Sequence, residues 1–169
     1  MLLRRAFQYK SWADRRTLDA VAKIDARSFP AEIAFACQQL NHMVRVEELF
    51  RARLEGVVEP HDSTNTAEVP RLAELDRRLT DSNEWLHQYS QALLPGALGE
   101  EIRFTFVDGR PGMLIREELL FHMINHGTYH RGAIGHALDL AQVPRPVDTY
   151  TVFIHATEPQ RRAGKRAKS

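Results

Sequence analysis

The chain has 169 residues with 23 basic and 22 acidic side chains, eight histidines and one cysteine, a length and balance that suit one soluble globular domain and exclude a largely disordered chain. A net charge of +1 excludes the strongly basic surface on which phosphate-backbone binding depends, so nucleic acid is not an expected partner. The lone Cys37 excludes an intrachain disulfide and a four-cysteine zinc site, so any metal must be held by nitrogen or oxygen.

No apolar run reaches the roughly 18 residues needed to cross a bilayer, and the opening MLLRRAFQYKSWADRR has no uninterrupted signal-peptide core. A cytoplasmic protein with no membrane partner is expected. With a turn of about 100° per residue, residues 3 to 24 place Leu3, Phe7, Leu18 and Val21 on one face of a first helix. Ser11 and Asp14 share that face, and Asp14 is expected as a partly wet residue at the end of a bundle. A second helix is expected over 31–55, with Ile33, Ala36, Leu40, Met43, Val44, Phe50 and Leu54 as its stripe, ended by Gly56 and Pro60. The stretch EGVVEPHDSTNTAEVP reads as a loop between helices, with His61 solvated in it. A third helix is expected over 70–94, where Leu72, Leu75, Leu79, Leu86, Tyr89 and Leu93 recur at spacings of three, four and seven, the seam of a bundle.

In EIRFTFV, by contrast, Ile102, Phe104 and Phe106 alternate with Arg103, Thr105 and Val107, a period of two that predicts a strand. DGRPG supplies a turn, and residues 113–115 return as the second strand of a hairpin. A fourth helix is expected over 116–142. TYTVFIHA is a strand or a short helix that periodicity does not separate, and residues 159–169 form a basic tail expected to be disordered. The fold class expected is all-α: an up-down four-helix bundle over residues 1–158, with a small β-hairpin before the last long helix.

Three histidines fall within residues 122 to 130. His126 and His130, four apart, lie about 6 Å along the helix axis and about 40° around it, so both can reach one ion. They share a face with Leu119, Met123, Ile134, Ala137 and Ala141, which points two imidazoles inward. A buried imidazole needs partners for both nitrogens, and a divalent metal with a second acceptor supplies them. His122 drifts toward the edge of the face, as a brace or proton carrier. HMINHGTYH lacks the enclosed glutamate of the H-E-x-x-H zinc proteases. A further ligand should come from another helix, and His42 shares a secondary strip with Val46 and Leu49. Gly127, Gly132 and Gly135 are unfavourable inside a helix, so they are expected to mark close approach of another helix or of a dimer partner.

The segments LNHMVRVEELF at 40–50 and NHGTYHRG at 125–132, with the opening FQYKSWADRRTL, resemble the DinB/YfiT-like superfamily of metal-dependent enzymes, from residue 3 to about 155. The resemblance implies a four-helix bundle, often a homodimer, in which His42, His126 and His130 hold zinc or nickel. Many relatives carry glutamine where this chain has Ala133, a departure that leaves the ligand set intact. Three nitrogen ligands leave coordination positions open, which suits hydrolysis by activated water or transfer of a metal-bound thiol. The expected function is a metal-dependent hydrolase or low-molecular-weight thiol transferase acting on a small-molecule substrate. The alternative is a non-catalytic dimeric bundle that binds a metal or small ligand. Candidates for proton transfer are His122, Glu47, Asp14 and Tyr129. Arg131 points about 100° away from His130, toward a structural ion pair.

Overall fold

The four apolar stripes become four long helices in the computed structural model, which describes residues 2–162. Their order is α1 (Leu2–Val21), α2 (Pro30–Glu55), α3 (Leu72–Ala92), strands β1 (Glu101–Thr105) and β2 (Pro111–Ile115), α4 (Arg116–Leu140) and a short α5 (Tyr150–Thr157). The protein is mostly helical, and its one described sheet is the two-stranded antiparallel pair β1–β2. TYTVFIHA resolves as helix α5, started by Thr149, whose side-chain oxygen accepts the Val152 amide N–H. Pro30 opens α2 and Gly56, in the left-handed region at φ 68°, closes it. In the hairpin, Phe104 pairs with Gly112, where a Cβ would sit 2.6 Å from Phe106 and 2.8 Å from Phe104. Of the expected basic tail, Pro159–Arg161 form a 3-10 turn, and residues 163–169 lie outside the described residues. No described helix is long and apolar enough to cross a membrane.

The core has two apolar layers. One holds Leu18 and Val21 of α1, Ala36 and Leu40 of α2, Leu75 and Leu79 of α3, and Ile134 and Leu138 of α4. The other holds Leu3 and Phe7, Val46 and Phe50, Leu86, and Leu119, Leu120, Met123 and Ile124, with hairpin residues Ile102, Phe104 and Leu114 packed against it. The same layers give the helix directions: each joins the start of one pair of helices to the end of the other. Thus α1 runs parallel to α4, α2 runs parallel to α3, and the two pairs are mutually antiparallel. The alternating up-down order expected from the sequence is therefore corrected to up-down-down-up. The reason is the connection between α2 and α3, residues 57–71, which is long enough to return along α2 instead of turning back at once.

Between the apolar layers lies a layer of charge. Lys10, fully buried, places Nζ 2.8 Å from Asp14 Oδ2, Asn83 Oδ1 and Glu47 Oε1. Arg131 donates from Nη1 to Asp14 Oδ1 and from Nε to Asp148 Oδ2, both at 2.8 Å. Asn83 donates to Asp14 at 2.9 Å, and the Ser82 and Tyr9 hydroxyls donate to Glu47 and Asp148 at 2.5 Å. Asp14 is thus an interior residue, not a wet bundle-end one, while Ser11, expected to face inward, is exposed. Gly127 makes room for the cluster: a Cβ there would lie 2.9 Å from Arg131 Nη1 and 3.6 Å from Lys10 Cε. The other two glycines meet no neighbouring helix within this chain. Gly135 faces the Arg145 side chain, not a helix, and Gly132 meets nothing within 4 Å in this chain.

The two carboxylates of this layer are held differently. Burial pushes the Asp14 pKa up, but Lys10 and Arg131 more than offset it, leaving the carboxyl below its ordinary value. Burial also pushes Glu47 up, and there the nearby Asp14 charge adds to it and Lys10 does not fully compensate. Folding therefore favours ionised Asp14, a stabilisation present above its unfolded pKa and lost as pH falls through the folded one. For Glu47 the uncompensated burial works the other way, so its charge contributes less to stability than that of Asp14. Asp14→Asn should accordingly cost roughly 3–5 kcal/mol in urea unfolding at pH 7, the usual cost of stranding a buried partner. Glu47→Gln should cost less than half as much, and the reverse order would contradict this account of the layer.

Candidate metal centre

Because α2 and α4 run antiparallel, His42 of α2 meets two successive turns of α4. Its ring centroid is 5.0 Å from that of His126 and 4.7 Å from that of His130, and the two α4 rings are 4.4 Å apart. One nitrogen from each of the three lies within 4.8 Å of the other two. All three are half-buried, so the cluster lies at the edge of the packed interior and not at its centre. His122 stacks on His126 at 5.4 Å and meets the Phe50 ring edge-on at 5.2 Å.

The outer nitrogens of two rings are already engaged. His42 Nδ1–H donates to the Thr64 carbonyl at 3.2 Å, and His130 Nδ1–H donates to Gln39 Oε1 at 2.6 Å. Each bond leaves an Nε2 lone pair free, the form that a metal ligand requires. His42 Nε2 and His126 Nε2 face each other at 3.1 Å. His126 Nδ1 is buried without a partner. A proton on His126 Nδ1 would set two lone pairs against each other; a proton on Nε2 would make one hydrogen bond and leave a bare buried lone pair. A cation on the Nε2 side removes the first conflict, and the donor set of three neutral imidazoles fits a borderline divalent ion. Burial, then the charges of His130, His42, His122 and Lys10, push the His126 pKa down to about 3. Burial and His42 push His130 down to about 4, and burial lowers His122.

The crossover 57–71 explains why His42 is so held. It is tied turn by turn to α2: Arg53 to Glu59, Glu48 to His61, Arg45 to the Ser63 carbonyl, Asn41 to Thr66 and Gln38 to Asn65. His61 is therefore not simply solvated; its ring bonds Glu48 at 2.5 Å, and Arg78 grips the same carboxylate. The lacing sets the Thr64 carbonyl over His42. Gln39 and Thr64 were not among the sequence candidates. The signal for Gln39 was its position one turn before His42 on the same strip, whereas a loop carbonyl has no residue-type signal.

The other candidates fall apart from the cluster. Asp14 and Glu47 belong to the buried charge layer and line no cavity beside the histidines. Tyr129 is 74% exposed, its ring edge-on to His130 at 5.1 Å. Arg131 makes the structural ion pairs expected of it. A cavity of about 230 Å³ opens beside His122 and His126. A larger groove of about 620 Å³ between α1, α3 and α5 holds none of the clustered histidines.

The family model described as DinB family matches residues 2–163. No curated protein and no solved structure matches the chain.

In metal-free protein the imidazoles of His126 and His130 should stay neutral between pH 8 and 5, as read from ring 15N shifts. The unfolded chain takes up protons near pH 6.5 that the folded site refuses, so stability should fall as pH drops through that range. A titration midpoint near 6.5 for both rings would contradict the packing described.

Proposed function

The chain belongs to the DinB family, and from that membership together with the converging imidazoles we propose that His42, His126 and His130 bind one divalent metal ion, zinc or nickel, in an enzyme that acts on a small molecule. The observation that carries this reading is the pair of Nε2 atoms 3.1 Å apart, with the far nitrogens of His42 and His130 already bonded to Thr64 and Gln39. A divalent ion in such a site supplies Lewis acidity, for hydrolysis by activated water or for presenting a thiol to an electrophile.

The chain's own residues then divide the work. Thr64 and Gln39 hold His42 and His130 in the tautomer that leaves Nε2 free. His122, half-buried on the cavity wall next to His126, is the residue we assign to proton transfer. Its lowered pKa keeps it neutral near pH 7, able to accept a proton. Asp14 and Glu47 are assigned to holding α1, α2 and α4 together and not to the chemistry, because Lys10 and Arg131 already engage them. In this reading the four long helices form one four-helix bundle domain over residues 1–158, with the rest a basic tail, and the protein is a cytoplasmic homodimer.

Metal analysis of purified protein tests the first step. Wild type should carry about one zinc or nickel per chain, and His126→Ala less than about a tenth of that. Gln39→Leu, which removes only the partner of His130, should weaken binding roughly 10–100-fold. Wild-type protein that takes up neither metal would overturn the site. For the second step, metal-loaded protein should turn over ester substrates, or electrophiles supplied with a low-molecular-weight thiol, and His122→Ala should lower kcat by roughly 10²-fold or more. Full metal occupancy without turnover in either panel favours the non-catalytic binding bundle.

A further inference from the structure

The cavity beside the histidines has an unusual lining for a site of polar chemistry. Its walls are Val46 and Phe50 of α2 and Phe106 and Val107 of the hairpin turn, and His122 and His126 line its α4 side. Phe106 and Val107 are 42% and 45% exposed. A hairpin turn is normally polar, and leaving two apolar side chains partly in water is unfavourable unless something covers them. Thr64 and Arg53 also border the space; Thr64 is uncharged, and the Arg53 guanidinium is engaged. It donates to Glu59 at 2.8 and 3.1 Å and to the Thr105 carbonyl at 3.0 Å, and it lies against the Phe50 and Phe104 rings. No free charge among the lining residues meets a ligand there, and a charged group entering would be desolvated without a partner.

We infer that this cavity binds a compact apolar group of the substrate, a single aromatic ring or a branched hydrocarbon of similar size, with the reacting atoms carried next to it at the His126 end. Apolar cavities of about 150 Å³ hold benzene. At about 230 Å³ the space takes one ring and the first atoms of its substituent. Away from the histidines the lining offers no free side-chain charge, so the group seated against Phe50, Phe106 and Val107 is uncharged. The hairpin thereby acquires a role that packing alone does not require: its turn forms the outer wall, and the group bound there covers Phe106 and Val107.

The inference rests on the proposed metal site, and the test separates the two. Acetohydroxamate and benzohydroxamate share one metal-binding head and differ by a phenyl ring. On zinc-loaded protein, benzohydroxamate should bind at least about tenfold more tightly by calorimetry. Phe106→Ser, at a half-exposed turn position with little bearing on folding, and Val46→Phe, which fills the cavity, should each remove most of that preference. Both should leave acetohydroxamate affinity within about twofold. Equal affinity of the two probes for wild type, or a preference unchanged in both variants, overturns the inference while leaving the metal site standing. If the protein takes up no metal, the metal site fails and the cavity is tested alone with benzyl alcohol. Shifts of the Val46, Leu49 and Val107 methyl resonances, abolished in Val46→Phe, then support it, and unmoved resonances overturn it.

Discussion

The architecture depends on one buried ion cluster. Lys10, Asp14, Glu47 and Arg131 come from α1, α2 and α4, are each at most 3% exposed, and share hydrogen bonds with Ser82 and Asn83 of α3. Such charges tolerate little displacement, because a lost partner leaves a bare charge in a medium that solvates it poorly. Apolar layers above and below can slide or rotate at modest cost. The ion cluster cannot, so it sets the rotation of α4 about its axis. The face of α4 that presents Gly127 and Arg131 to α1 is thereby coupled to the face that presents His126 and His130 to α2.

The crossover adds the second constraint. By running α3 parallel to α2, the chain has to return along α2 through residues 57–71, and the side chains that pin the crossover sit on successive turns of one helix. Topology and site are connected there: the segment that reverses the helix order also brings the Thr64 carbonyl to His42. On the other flank Gln39 does the same for His130. The site is thus oriented by groups of an ordinary connecting loop and of a single helix, with no element dedicated to it.

Much of this was legible in the residues. Apolar spacing located α1 to α4 and the hairpin to within a few residues, since each element buries one continuous stripe against a common core. The histidine spacing was legible for the same reason, because i and i+4 positions meet on a helix whatever lies around them. Helix direction was not, for it depends on how a loop travels; its length was the available clue, being long for a connection between antiparallel neighbours. Asp14 was misjudged because its partners, Lys10 apart, lie 69 and 117 residues away. TYTVFIHA was ambiguous because its short apolar run fits either period; the segment forms a helix capped by Thr149 that buries only Phe153 and Ile154.

The three imidazoles of His42, His126 and His130 face one another between α2 and α4, close enough to share one ion. Anomalous diffraction from crystals of the zinc-loaded protein tests this most directly. A single anomalous peak per chain is expected, about 2.0–2.2 Å from the Nε2 atoms of His42, His126 and His130. A peak bound elsewhere, or one that leaves any of these three nitrogens out of reach, would contradict it.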